Sequence, residues 1–148
     1  MNLTIKSIDK NNYEEIKDLR VSDKQVNFIE SVEDCLKESV ENPEWKCVGI
    51  YDDDKAVGFG MYGFISSENR VWFDRFLISY KYQGMGYGKA GVRILLKHIF
   101  KVYGCKKIYL SVHSNNKAAI SLYNKVGFEF NGELDINGED VMEIDFKR

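Results

Sequence analysis

The sequence has few of the residues that disulfide-stabilised proteins and metal sites need. Its three cysteines, Cys35, Cys47 and Cys105, are odd in number and far apart, and its only histidines are His98 and His113. The cysteines therefore indicate neither a disulfide framework nor a metal site, and they favour a reducing, cytoplasmic location. Because the two histidines are scattered, we expect no bound metal ion.

Long apolar runs are also absent. Residues 1–6 contain no stretch typical of a signal peptide, and no segment of the sequence is long enough to cross a bilayer. The sequence contains no internal repeat, no low-complexity tract and no recognisable linker. We therefore expect residues 1–148 to form a single domain with its own core and without a membrane partner.

A net charge of only −2 conceals a strong segregation of charge along the chain. Residues 1–54 hold 14 acidic and 7 basic side chains, whereas residues 71–125 hold 10 basic side chains and a single acid, Asp74. Residues 126–148 are acidic again, with 7 acids and 2 bases. A basic middle segment suits a polyanionic cofactor, and acidic flanks suit a cationic substrate. The same flanks argue against a nucleic-acid partner, which needs an uninterrupted basic surface.

Hydrophobic periodicity and turn residues predict a mixed α/β sheet of about seven strands flanked by four helices. We predict strands at residues 3–8, 45–51, 56–65, 71–80, 108–112, 128–134 and 141–146. Helices are predicted at residues 12–20, 28–41, 88–103 and 116–125. The second helix has an apolar stripe that includes Val32, Leu36 and Val40, and Pro43 follows its end. Asn137-Gly138 predicts a hairpin between the last two strands.

The most informative segment comprises residues 71–90, which combine a buried strand, a glycine-punctuated turn and the start of a helix. Gly84, Gly86 and Gly88 alternate in the turn, where glycine allows a positive φ and a close approach of the backbone to a ligand. Free amides and the dipole at the helix N-terminus favour an anion in such a turn. The segment therefore predicts a diphosphate site for a nucleotide-type cofactor.

Two common phosphate-binding patterns do not fit this turn. The dinucleotide fingerprint needs Gly-x-Gly-x-x-Gly and an acid about 20 residues later, but here the spacing differs and that region is basic. The Walker pattern needs Ser or Thr after Gly-Lys, whereas Gly88-Lys89 precedes Ala90. Instead, Gln-x-x-Gly-x-Gly at residues 83–88 resembles the cofactor loop of the GNAT acetyltransferases. Asn116-Lys-Ala-Ala-Ile-Ser-Leu-Tyr-Asn-Lys-Val-Gly-Phe128 resembles the second motif of that family, 33 positions after Gln83.

The resemblance to GNAT proteins implies their fold and acetyl-CoA as co-substrate. It implies that the pantetheine arm pairs with the main chain of Phe76, Leu77 and Ile78, where two strands splay apart. It places the diphosphate on the amides of Gln83, Gly84, Met85, Gly86, Tyr87, Gly88 and Lys89. Asn116 would hydrogen-bond the pantetheine arm, although asparagine is also a preferred helix N-cap.

The same resemblance implies two catalytic residues. Tyr123 would donate a proton to the leaving thiolate, and Asp74 would hold the water that deprotonates the amine. A tyrosine on an apolar helix face can instead belong to the core, and Asp74 can instead pair with Arg75. Strand alternation predicts that Trp72, Asp74 and Phe76 share one face.

An acidic stripe on the second helix suggests the substrate. Glu30, Asp34, Glu38 and Glu41 follow helical spacing, and like charges four residues apart repel. The stripe is either a solvated face or a wall that binds a cationic amine together with the aromatic rings of Tyr62 and Trp72.

Three further segments resemble bacterial spermine/spermidine N-acetyltransferases: residues 21–31, 71–78 and 131–139. The resemblance therefore implies a polyamine substrate that attacks acetyl-CoA directly in a ternary complex, and is compatible with a homodimer. Two alternatives remain open at this point. The chain can acetylate a protein N-terminus, a lysine or another small amine, or it can bind acyl-CoA without turnover.

Overall fold

The computed structural model describes residues 1–21 and 31–146. Within them, seven strands form one mixed sheet in the order β1-β2-β3-β4-β5-β7-β6. The strands are β1 (Leu3–Ser7), β2 (Trp45–Asp52), β3 (Lys55–Ile65), β4 (Arg70–Ile78), β5 (Lys107–Val112), β6 (Glu129–Leu134) and β7 (Asp140–Asp145). All neighbouring strands are antiparallel except β4 and β5. The predicted mixed sheet of seven strands is confirmed.

Four helices accompany the sheet: α1 (Tyr13–Lys17), α2 (Val32–Glu41), α3 (Tyr87–Tyr103) and α4 (Lys117–Val126). α1 is shorter than predicted, and the Arg20 guanidinium binds the carbonyl of its last residue, Lys17, at 2.7 Å. The predicted start of the second helix, residues 28–30, lies outside the described residues. Ser31 caps α2 by accepting a hydrogen bond from the Asp34 amide. Within the described residues, no helix combines the length and hydropathy needed to span a membrane.

The two faces of the sheet are covered by different helices. α3 and α4 pack on one face, where Phe73, Leu95 and Phe128 belong to the same buried cluster. α1 and α2 pack on the other face, with a cluster that includes Ile16 and Leu77. Burial of these apolar side chains is the main stabilising contribution, and it fixes β4 between the two layers.

The apolar stripe predicted on α2 is only partly confirmed. Val32 and Leu36 are buried, but 81% of the Val40 surface is exposed. The prediction is wrong for Val40 because the last turn of α2 borders an open cleft of about 440 Å³ rather than packed side chains.

A β-bulge interrupts β4 at Asp74. Phe73 pairs with Tyr62 of β3 and Arg75 pairs with Met61, so Asp74 is an extra residue without its own partner in the ladder. Beyond the bulge, Phe76 packs against the same cluster as Phe73. The predicted sharing of one face by residues 72, 74 and 76 is therefore wrong, because the inserted residue shifts the alternation of side chains.

Candidate active site

A large groove of about 1490 Å³ opens where β4 and β5 separate. It is lined by the second half of β4, the glycine turn, the start of α4, one side of α2 and the β6–β7 loop. Most of the residues predicted from sequence to form a site lie along this groove, although they are far apart in the chain.

Beyond Trp72, the described residues provide β4 with no partner strand on the side of the groove. Within the described residues, β4 pairs with β5 only at Trp72 and Tyr109, so the two strands diverge towards residue 78. Ser79 donates its amide to Val57 of the β2–β3 side at 2.8 Å. Since backbone groups alternate along a strand, Leu77 also faces β3, and the backbone of residues 76 and 78 faces the gap. Two of the three predicted backbone positions therefore face the gap, whereas the backbone groups of Leu77 face β3.

The glycine turn has the geometry that the motif predicts. Gly84 and Gly86 have φ values of 80° and 86°, which residues with a side chain rarely adopt. A Cβ atom on Gly84 would meet no atom within 4 Å, and one on Gly86 would approach only the tip of Met1 at 3.9 Å. The protein itself therefore leaves the space above the turn open. Gly88 lies in the first turn of α3, with Leu122 at 3.6 Å from its Cβ position.

The side chains around the turn have mainly structural contacts. Tyr87 is buried and donates its hydroxyl to Asp52, which ties the start of α3 to β2. Gln83 donates its amide to the Ile78 carbonyl at 2.9 Å. Met85 and Lys89 are exposed. The amides of this turn and of the α3 N-terminus are what the segment presents to an anion.

Asn116 and Tyr123 line the groove from α4. Asn116 accepts a hydrogen bond from the Ala119 amide at 3.3 Å, so its predicted alternative role as an N-cap is confirmed. Tyr123 is half-buried, with its ring edge-to-face against Phe73 and Phe128 at centroid distances of 5.8 and 5.7 Å. Burial raises the pKa of the Tyr123 hydroxyl, which keeps it protonated at neutral pH.

Asp74 lines the groove at the bulge. Its Oδ2 atom accepts a hydrogen bond from the Arg75 guanidinium at 2.7 Å, so the ion pair considered as an alternative is present. Both side chains are about one-quarter exposed, and both line the groove. The contact leaves Asp74 accessible from the groove.

Aromatic and acidic side chains, among them Trp72 and Glu133, form one end of the groove, the acidic end. Trp72 donates its indole N–H to Glu68 at 3.1 Å, and its ring lies 5.6 Å from that of Tyr109. The guanidinium of Arg70 lies 4.0 Å from the Tyr109 centroid. It also makes two hydrogen bonds, of 2.8 and 3.0 Å, to Glu133.

Several of these acids were not identified from the sequence. Glu133, Asp135 and Glu139 line the groove from the end of β6 and the β6–β7 loop. The acidic composition of residues 126–148 was the signal that could have identified them. From α2, Asp34 lines the groove as predicted, and so does Glu38. Glu30 lies outside the described residues.

Tyr62, predicted to contact the substrate, lies instead in the core. It is 4% exposed, packs with the cluster beneath α3 and hydrogen-bonds His98 at 2.9 Å. Burial raises the pKa of its hydroxyl to about 12. Tyr62 is paired with Phe73, so the two side chains lie on the same face of the sheet. Trp72 is next to Phe73 in β4 and therefore lies on the opposite face.

The core position of Tyr62 leads to a testable prediction. Tyr62→Phe should lower the free energy of unfolding by about 1 kcal/mol, since it removes the hydrogen bond to His98. Thermal denaturation measures this loss, and the KM for an amine substrate should not change. Trp72→Phe is the matched aromatic control inside the groove and should raise that KM. A raised KM in the Tyr62 variant would instead return Tyr62 to the substrate site.

Comparisons with known proteins agree with this geometry. Residues 13–128 match the family model of the acetyltransferase (GNAT) family. A Bacillus subtilis (strain 168) protein named spermine/spermidine N(1)-acetyltransferase is 45% identical over 148 residues, covering 96% of this chain and 97% of that protein. The spermidine N(1)-acetyltransferase of Escherichia coli K12 is 38% identical over 58 residues, covering 39% of this chain and 31% of that protein.

Solved structures show the same fold. The spermidine N-acetyltransferase from Vibrio cholerae, crystallised with CoA and spermine, superimposes with a TM-score of 0.75 at 22% sequence identity. The alignment covers 97% of this chain and 95% of that chain. The fold predicted from the two motifs is confirmed.

Proposed function

The chain belongs to the acetyltransferase (GNAT) family, and we propose that it transfers an acetyl group from acetyl-CoA to a primary amine of a polyamine such as spermidine or spermine. One observation carries this proposal. The groove that begins at the glycine turn ends at a set of carboxylates around Trp72. Carboxylates and an indole face are the groups that recognise an aliphatic polycation.

The end of the groove at the glycine turn suits acetyl-CoA. The gap-facing backbone of residues 76 and 78 can pair with an extended pantetheine arm as an added strand does. The amides of residues 83–89, at the N-terminus of a 17-residue helix, favour a diphosphate. Asn116 lies beside the same part of the groove, and Leu77 contributes an apolar side chain to it.

Acetyl-CoA supplies the acetyl group as a thioester. The amine nitrogen attacks the carbonyl carbon, the new N–C bond forms, and the C–S bond breaks. We assign Tyr123 as the general acid that gives its phenolic proton to the departing thiolate. The phenol is protonated at neutral pH, because the pKa of a free tyrosine is about 10 and burial raises it further.

The amine must lose a proton before it attacks, because an alkylammonium has a pKa of about 10. We assign Asp74 as the base, acting through a water molecule at the bulge. This carboxylate belongs to the inserted residue of the β-bulge and lines the groove. The acidic end would then hold the rest of the polyamine, with Trp72 against its methylene chain and Asp34 near an ammonium.

A thiol-release assay tests the proposed function. With acetyl-CoA as donor, the protein should release CoA thiol rapidly with spermidine and spermine. Release should be slower with a monoamine, an aminoglycoside or a peptide N-terminus, because these place no second ammonium at the right spacing. Faster turnover of a peptide or aminoglycoside would contradict the polyamine substrate. CoA binding without thiol release from any amine would indicate a non-catalytic module.

We propose a single domain, a cytoplasmic location and a homodimer, and we expect no nucleic-acid partner. Analytical ultracentrifugation of the purified protein measures the oligomeric state directly.

A further inference from the structure

The carboxylates around the groove differ in how far they are already used by the protein. Glu133 accepts two hydrogen bonds from Arg70, and Asp74 accepts one from Arg75. Glu68 accepts one from an indole N–H. Each of these acids therefore has a donor within the protein before any substrate is bound.

Glu38 is in a different situation. It lies in the last turn of α2 and lines the groove, and its Oε2 atom is buried. Within residues 1–21 and 31–146, no group donates a hydrogen bond to that oxygen. A buried carboxylate oxygen without a donor is strongly unfavourable, and its presence in a native structure requires an explanation.

Two further effects act against a negative charge at this position. The C-terminus of a helix carries the negative end of the helix dipole, and the last turn of α2 contains no basic residue. Asp34 lies one turn earlier on the same side of α2 and lines the same groove, so the two like charges repel. The position of Glu38 is therefore poor for stability.

Glu38 and the proposed base Asp74 line the same groove. An amine held at Asp74 would therefore extend along a groove whose wall includes the Glu38 side chain.

We propose that Glu38 determines the specificity for polyamines by binding the ammonium next to the reacting nitrogen. This inference rests on the function proposed above. The substrate ammonium, held in the groove that Glu38 lines, places a positive charge beside a carboxylate whose Oε2 atom has no donor within the described residues. Diamines and polyamines carry this second ammonium and monoamines do not. The unfavourable position of Glu38 is thus the source of its selectivity.

The substitution Glu38→Gln tests the proposal, because it keeps the shape of the side chain and removes the charge. The KM for spermidine should rise by roughly tenfold or more, the scale of a hydrogen bond between charged groups. The KM for butylamine should change by less than about twofold. The melting temperature of the free protein should rise by roughly 3 °C, because a buried amide is less unfavourable than a buried carboxylate.

Glu41→Gln is the matched control, since Glu41 lies in the same helical turn but is exposed. It should leave both KM values unchanged. An unchanged ratio of the two KM values in Glu38→Gln would overturn the proposal, whatever the melting temperature of the variant. In that case, thiol release with spermidine by the unmodified protein would still support the acetyltransferase function. If the unmodified protein releases no thiol with any amine, the proposed function itself fails.

Discussion

Tyr123→Phe should lower kcat for acetyl transfer by roughly 10²-fold, the usual scale for the loss of a general acid. The variant keeps the ring, and with it the edge-to-face contacts with Phe73 and Phe128. It removes only the hydroxyl, which is protonated at neutral pH and is the proposed proton donor. Steady-state kinetics with spermidine measure kcat, and calorimetric titration should show nearly unchanged affinity for acetyl-CoA.

Tyr103→Phe provides the control for this experiment. Tyr103 is another partly buried tyrosine that packs against the same core cluster, and it lies outside the residues that line the groove. Its loss should leave kcat unchanged. Full activity of the Tyr123 variant would mean that water protonates the thiolate, and loss of folding would indicate that Tyr123 belongs only to the core.

Gly86→Glu should abolish the stabilisation of the protein by acetyl-CoA. A ligand that binds only the native state at 100 times its Kd stabilises the unmodified protein by about 2.7 kcal/mol. In the variant, a carboxylate would project into the space above the turn, at a residue with a φ of 86°. It would repel the diphosphate at the N-terminus of α3. Thermal denaturation with and without acetyl-CoA measures the loss.

Gly104→Glu controls for strain and charge at the opposite end of the same helix. Gly104 also has a positive φ, of 60°, and a Cβ atom there would meet nothing within 4 Å. Its variant should lose a comparable amount of intrinsic stability and keep the full acetyl-CoA response. If Gly86→Glu also kept that response, the turn would not be the diphosphate site.

The end of the groove at the glycine turn was predictable from sequence because it is built from local motifs. The positive φ values of Gly84 and Gly86 follow from their place between a strand and a helix. The cap formed by Asn116 follows in the same way from one residue before a helix. Features of this kind depend on neighbours in the chain, so the pattern of residues is enough to predict them.

The bulge in β4 was not predictable from the same patterns. Aromatic and apolar residues occupy consecutive positions before and after Asp74-Arg75 in β4, so an inserted residue breaks no visible alternation. Asp74 reads as an ordinary member of the strand, yet it shifts the faces of every later residue. The error over the sharing of one face by Trp72 and Phe76 has this origin.

The acidic end of the groove combines segments that are distant in sequence. Glu38, Glu68 and Glu133 come from three different parts of the chain, and only the fold brings them to one wall. Composition indicated that the flanks are acidic but not which acids already have donors. Tyr62 shows the converse error, since an aromatic residue of suitable type faces the other side of the sheet.

The parting of β4 from β5 also has an evolutionary consequence. Main-chain groups persist when side chains are replaced, so the gap-facing backbone of residues 76 and 78 tolerates apolar exchange without losing its capacity to pair. Amine binding at the acidic end depends on individual carboxylates, each of which a single nucleotide change can remove. Drift within a lineage should therefore alter the acceptor amine well before it alters the acyl donor, and new specificities should arise at α2 and the β6–β7 loop.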